Sequence, residues 1–268
     1  MSRSPAVAAL CILSLVAACA SSSGAKSGEP STQPSQQKQK PAATSDPLGS
    51  MTLMRQGSVL LQQGRIESAL EAFEQADRVA PGNATNKNMI GLCQLNLGRF
   101  DRALQSFDEA LDLAPGFTDA RNNRGATYLA MRQLHLAEVD FVAVLADSTY
   151  PYRKEVHYNL GLTYLEQGQH GAAEENFRKA IALPNPVFDA YLQLARLAQR
   201  QGELERSKVL LEEARLQFPE STAVALELGK LFMLMGDAAA AQPYLERVIA
   251  DAPDSAEAAT ARSLLGKG

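Results

Sequence analysis

The chain has no tryptophan, 3 histidines and 3 cysteines among its 268 residues, and aromatic residues make up only 6% of it. His135, His157 and His170 stand too far apart in helical terms to form a zinc-type pair. No glycine-rich phosphate loop follows a strand, because no segment alternates polar and apolar residues as a strand requires, and no serine occupies a strained strand-to-helix elbow. The formal net charge is −4, a mildly acidic balance, so a basic field that would attract nucleic acid is missing. The longest apolar run, from Ala6 to Val16, is too short to span a bilayer stably as a helix. Together these gaps argue against an enzyme. No catalytic residue, metal site, cofactor or small-molecule substrate is expected, and no nucleic-acid partner.

The apolar run has a different use. Arg3 precedes it, and it ends in Val16-Ala17-Ala18-Cys19, a branched apolar residue and two small ones before a cysteine. That pattern resembles a bacterial lipobox. The resemblance implies a signal peptide over residues 1–18, thioether lipidation of Cys19, cleavage before it and acylation of the new N-terminus, with palmitate a usual acyl group. The other reading is an ordinary signal peptide cut at an Ala-x-Ala-like site, with Cys19 incidental. Ala20 stands where an Asp commonly marks retention at the inner membrane of Gram-negative cells, so the resemblance implies a lipid anchor on the periplasmic face of the outer membrane. Residues 19–45 open on Cys19 and are otherwise Ser, Gly, Pro, Gln, Lys, Ala and Thr with a single Glu and almost nothing apolar of size. Such a stretch cannot bury enough surface to offset ordering its backbone, and reads as a disordered tether with a coil span on the order of 30 Å. Lys26, Lys38 and Lys40 lie on it. With Cys11 in the signal and Cys19 under lipid, Cys93 stands alone, and it falls where a small packed residue is wanted.

From Asp46-Pro47, an N-cap followed by proline at the first helical position, the pattern changes. Gly64, Gly98, Gly168, Gly202 and Gly236 are separated by 34, 70, 34 and 34 residues. A beat of 34 is the length of one helix–turn–helix unit of the tetratricopeptide type. Units fall at 50–83, 84–117, 118–153, 154–187, 188–221 and 222–255, with a capping helix at 256–265. The first carries Gly57, Gly64, Ala69, Phe73, Ala76 and Pro81; the second repeats them as Gly91, Gly98, Ala103, Phe107, Ala110 and Pro115. Small residues let two helices approach, the aromatic fills the gap between them, and proline ends the second helix. The third unit has Arg132 for the turn glycine and runs two residues long; the fifth has Ala195 and Ser207 at small-residue sites and Leu211 for the aromatic. The expected fold is all-α, a right-handed superhelical solenoid of about six repeats over residues 46–268.

In such a fold the first helix of each unit lines the concave face. The register places Met54, Arg55, Ser58, Asn88, Met89, Leu92, Asn122, Asn123, Ala126, Tyr158, Asn159 and Leu162 there, an apolar stripe flanked by carboxamides that suits an amphipathic helix or a mixed peptide. Met54, Asn88, Met89, Leu92, Asn122, Asn123, Tyr158, Asn159 and Leu162 are the expected partner-binding groove. Arg55 and Arg121 alone do not complete a clamp for a C-terminal carboxylate, whereas Arg196, Arg200 and Lys230 beside Glu227 form a basic patch for an acidic partner or a solvated face. The carboxylate pairs Glu174-Glu175 and Glu212-Glu213 read as solvated.

The combination resembles the pilotin lipoproteins of type IV pili, the PilF/PilW/Tgl group. Its more particular part is the junction Tyr150-Pro151-Tyr152-Arg153-Lys154 leading into Tyr158-Asn159-Leu160-Gly161-Leu162. The resemblance implies an outer-membrane lipoprotein that helps a secretin pore assemble, with the secretin docking near Met54, Met89 and Leu92. The other reading of the same features is a general periplasmic adaptor lipoprotein for peptidoglycan hydrolases or outer-membrane protein assembly; a homo-oligomeric scaffold is a third.

Overall fold

A computed structural model describes residues 46–266 of the chain. The expected signal peptide, Cys19 and the tether with Lys26, Lys38 and Lys40 lie outside the described residues, so lipidation is not addressed by them. Every regular element described is helical. They run α1 (Pro47–Gln62), α2 (Ile66–Val79), α3 (Ala84–Asn96), α4 (Phe100–Leu113), α5 (Thr118–Ala130), α6 (Leu134–Leu145), α7 (Arg153–Glu166), α8 (His170–Ala182), α9 (Phe188–Arg200), α10 (Leu204–Gln217), α11 (Thr222–Leu234), α12 (Ala238–Asp251) and α13 (Ala256–Leu264). No helix among the described residues is long and apolar enough to cross a membrane.

Local chemistry sets the helix ends. Asp46 accepts a hydrogen bond from the Gly49 N–H at 2.9 Å with Pro47 just inside the helix, Asn83 caps α3 through the Asn86 N–H at 2.9 Å, and Asp237 caps α12 through the Ala240 N–H at 2.9 Å. Inside each hairpin the turn residue adopts a left-handed backbone. Gly64, Gly98, Gly168, Gly202 and Gly236 have φ between 69° and 80°, and Arg132 takes the same place at φ 59°.

The chain divides into two compact units, split after Tyr150. In the first, α1 to α6 form three hairpins, each helix packing on its neighbours in sequence and α3 also touching α5. In the second, α7 to α12 form three more hairpins and α13 closes the end against α11 and α12.

One contact recurs in the hairpins. A Cβ added to Gly91 would lie 2.6 Å from Cε1 of Phe107, and one on Gly161 would lie 2.6 Å from the same atom of Phe177; Gly57 and Phe73, and Gly125 and Phe141, are placed alike. The missing side chain is thus the seat of the ring, and Phe73, Phe107, Phe141 and Phe177 are all fully buried. The fifth hairpin has Ala195 at the glycine's place and the narrower Leu211 at the ring's, both buried. Polar stitches join successive hairpins. Asn86 donates to the Phe73 carbonyl at 2.9 Å, and Lys87 sits 2.8 Å from Asp77 and 2.7 Å from Glu109. Burial alone would lower the Lys87 pKa, but its bonds to both carboxylates outweigh that and raise it.

Candidate functional site

The first helices carry the expected groove, and the structure changes its character. In the first unit Met89 and Leu92 join Leu61, Leu70, Phe73, Ile90 and Cys93 in one packed cluster, with half-buried Met54 against it. Leu92 is 0% exposed and Met89 3%. Asn123 donates from Nδ2 to Oδ1 of Asn88 at 2.9 Å, a buried bond between adjacent hairpins, and Asn122 is buried beside it on α5. In the second unit Tyr158 rests against the Phe177 ring at 5.8 Å between centroids, and Asn159 and Leu162 are buried on the same helix. Asn88, Met89, Leu92, Asn122, Asn123, Ala126, Tyr158, Asn159 and Leu162 therefore do not form the open trough expected. The physical reason is that residues 88–95 of α3 and 156–163 of α7 are each buried without a break. A helix that shields only its hairpin-facing side leaves a polar stripe in water, and these two helices have none along their middles. Of the expected positions only Arg55 is exposed, with Met54 and Ser58 intermediate.

The expected basic residues do gather beside Glu227. Arg196 lies 3.1 Å and Lys230 3.2 Å from the same oxygen of Glu227, so two of the three cations share one carboxylate, while Arg196 and Arg200 are exposed and Lys230 is half-buried. Of the two carboxylate pairs, Glu174, Glu175 and Glu212 are ion-paired, and Glu213 is exposed as expected. Glu174 meets Arg178 at 3.0 Å and also binds Arg206, Glu175 meets Lys179 at 2.6 Å, and Glu212 accepts from Arg215 at 2.7 Å and from the Tyr244 hydroxyl at 3.0 Å. Burial pushes the Glu174 carboxyl up, and its two arginines together bring it below its usual range. Such committed carboxylates are poor proton shuttles, since giving up charge breaks two bonds. Arg121 is likewise engaged, donating to the Pro115 carbonyl at 2.8 Å.

His157 packs inward, its Nδ1 3.1 Å from Oδ1 of Asn176. Asn176 uses its Nδ2 on the Ala172 carbonyl at 2.9 Å, which leaves its oxygen as acceptor and fixes the proton on Nδ1 of His157. Burial lowers the pKa of this imidazole. Among the described residues no group of three or more His, Cys, Asp or Glu side chains stands close enough to hold a metal ion. Cys93 is a buried thiol in the first-unit cluster.

One arrangement escaped the sequence reading. Arg124 of α5 grips Asp140 of α6 with two bonds, Nε to Oδ2 at 2.8 Å and Nη2 to Oδ1 at 2.7 Å, and reaches Asp108 of α4 at 2.7 Å. Asp140 is 3% exposed, so this is a buried carboxylate satisfied by one guanidinium. Residues 16 apart in either direction carry no local motif, and nothing short of the hairpin geometry could reveal them.

The hairpin geometry finds its counterparts among known proteins. Tetratricopeptide-repeat profiles match residues 54–116, 155–183 and 198–265, together more than half of the chain. Compared by sequence, no curated protein matches. Compared by structure, the chain is similar to PilW, described as a widely conserved type IV pilus biogenesis factor, with a TM-score of 0.70 and 24% identity over 79% of this chain and 97% of that one. It is similar to PilF of Pseudomonas aeruginosa at a TM-score of 0.68 and 20% identity, over 81% and 97% of the two chains. It is also similar to a tetratricopeptide repeat protein of Parabacteroides merdae at 0.63 and 21%, over 82% and 88%. At these identities the likeness is one of fold. Repeat length, glycine–aromatic clamps and turn geometry agree with the three matched stretches, and the chain belongs to the tetratricopeptide-repeat family.

Proposed function

We propose that the chain is a protein-binding scaffold, tethered through lipid on Cys19 to the periplasmic face of the outer membrane, that acts as a pilotin-like factor in type IV pilus biogenesis and assists assembly of the outer-membrane secretin. The observation that carries this reading is the fold likeness to PilW and PilF over 97% of each. Val16-Ala17-Ala18-Cys19 and the Pro-bearing segment before Tyr158-Asn159-Leu160-Gly161 support it. The reading assigns the chain no catalytic role, because its family is an interaction fold.

The test is a deletion strain. Loss of secretin multimers and of twitching motility, both restored by the native gene and not by a Cys19→Ala variant, is the expected result. Normal multimers with normal motility would remove the pilus role. The hairpin stack is also similar to a Parabacteroides merdae protein described only as a tetratricopeptide repeat protein, so the fold is equally open to a second reading, a general periplasmic adaptor. Under that reading the deletion leaves multimers intact while peptidoglycan hydrolases or outer-membrane assembly factors co-purify with the tagged chain.

A further inference from the structure

The second helices face outward, and their outward positions follow a rule. Two residues before and one residue after the side chain that packs on the hairpin's glycine or alanine, α2 has Glu71 and Glu74, α4 Gln105 and Asp108, α8 Glu175 and Arg178, α10 Val209 and Glu212, and α12 Pro243 and Glu246. Each pair contains a charge. At the same places α6 has Val139 and Val142, and Leu136 extends the line by three more residues. The three are 45–53% exposed and share one face of the helix. With the small Ala146 the strip is about 15 Å long, three turns of helix.

The surface beside this strip has the opposite character. Arg124 bonds Asp108 of α4 and Asp140 of α6 at 2.7 Å each, so one guanidinium bridges the two second helices. Along α4, Asp101, Asp108 and Asp112 are exposed on one face at steps of seven and four residues. Asp108 and Asp112 hold the same repeat positions as Val142 and Ala146, so the acidic row ends level with the apolar one. Arg99 and Arg102 are exposed at the far end of α4, near the level of Leu136.

Charge and area select the occupant. Three half-exposed aliphatic side chains offer on the order of 200 Å² of apolar surface, far below the roughly 800 Å² per partner of a stable dimer. A symmetric pair would also bring two acidic rows together, and an anionic lipid surface would be repelled by the same aspartates. We propose that the outer face of α6, with the acidic row of α4 beside it, docks a cationic amphipathic helix of a partner protein, apolar side chains on Leu136, Val139 and Val142 and a basic flank toward Asp108 and Asp112. The proposal rests on the scaffold reading but not on the pilus assignment.

The test uses the purified full-length protein and a fluorescent helical peptide of about five turns, with leucines along one face and lysines along one flank. Saturable binding that weakens as salt rises is expected. Replacing Leu136 and Val139 together with Asn should weaken it roughly tenfold, and Asp112→Lys roughly threefold with a shallower salt dependence, each with an unchanged melting curve. A peptide with Glu in place of Lys should bind at least about tenfold more weakly. Absent binding, equal binding by the variants, or equal binding of the Glu peptide overturns the proposal. So does a melting temperature that falls sharply in the Asn variant, which would make these side chains packing residues. A dimer or a vesicle-bound form that disappears in the Asn variant also overturns it, by assigning the strip to a second copy or to lipid. None of these outcomes depends on the pilus phenotype.

Discussion

Leu92 separates a filled inner wall from an open one. It is 0% exposed and packs with Leu61, Leu70, Phe73, Met89, Ile90 and Cys93. Leu92→Ala removes three carbons, about 2.4 kcal/mol at ~0.8 kcal/mol for each, and the cavity left behind adds a further ~1–2 kcal/mol. The expected loss is therefore about 3.4–4.4 kcal/mol, or roughly 14–18 °C in the transition of the first unit at ~4 °C per kcal/mol for a unit of about 100 residues. Leu92→Glu places a carboxylate with no partner among apolar side chains and should cost more, enough to unfold that unit near neutral pH. Urea unfolding followed by circular dichroism measures both, with Leu216→Ala as reference. Leu216 is 71% exposed, and its loss should change stability by less than ~0.5 kcal/mol. If Leu92→Ala stays within about 1 kcal/mol of the parent, the burial argument fails and the inner wall is the open trough that the repeat register foresaw.

The remaining predictions concern single contacts. Gly91→Ala sets a methyl 2.6 Å from the fully buried Phe107 ring and should lose about 1–3 kcal/mol despite alanine's better helix propensity, whereas Gly171→Ala meets nothing within 4 Å and should be neutral or gain up to ~1 kcal/mol, both read by thermal melts. Arg124→Ala strands the Asp140 carboxylate in the core and should cost about 3–5 kcal/mol, while Arg124→Met with Asp140→Leu should recover most of it in the same urea assay. His157 has a folded-state pKa lowered by burial, so the unfolded chain takes up its proton first as pH falls. Its contribution is complete above the ordinary value of 6.5 and declines as pH drops from there toward the folded pKa; in His157→Gln the stability lost over that interval should shrink.

What the sequence reveals here is what repeats. The all-α class, the hairpin turns and the glycine–aromatic clamps each recur at a fixed interval, so an error at one place is corrected by the others. Arg132 illustrates this: no local rule puts arginine in a left-handed turn, yet its place between Leu129 and Leu134 in the beat assigns it there, and its φ is 59°. The candidate groove was less legible. Register places Leu92 and Asn123 on first helices correctly, but accessibility is set by everything that surrounds a helix, and a 34-residue pattern carries no record of that. The Arg124–Asp140–Asp108 group depends on side chains meeting between different helices, where spacing alone allows many pairings; Lys230, three residues from Glu227 on one helix, was legible. The apolar strip on α6 was readable in principle, as the one outer helix lacking charge at positions where its five counterparts have it, but only after the outward positions were known.

Packing between neighbours in sequence has a consequence for how the molecule comes into being. Within each unit the helices touch mainly the helix before and the helix after, with α3–α5 and α11–α13 the longest reach among the larger contacts. Loops to be closed are short, and native structure never has to await a distant part of the chain. A polypeptide issuing one end first, from a ribosome or through a narrow channel, can complete each hairpin as it emerges and use it as the template for the next. Delivery in thread-like form and arrival in folded form are then compatible without a long-lived, sticky intermediate between them.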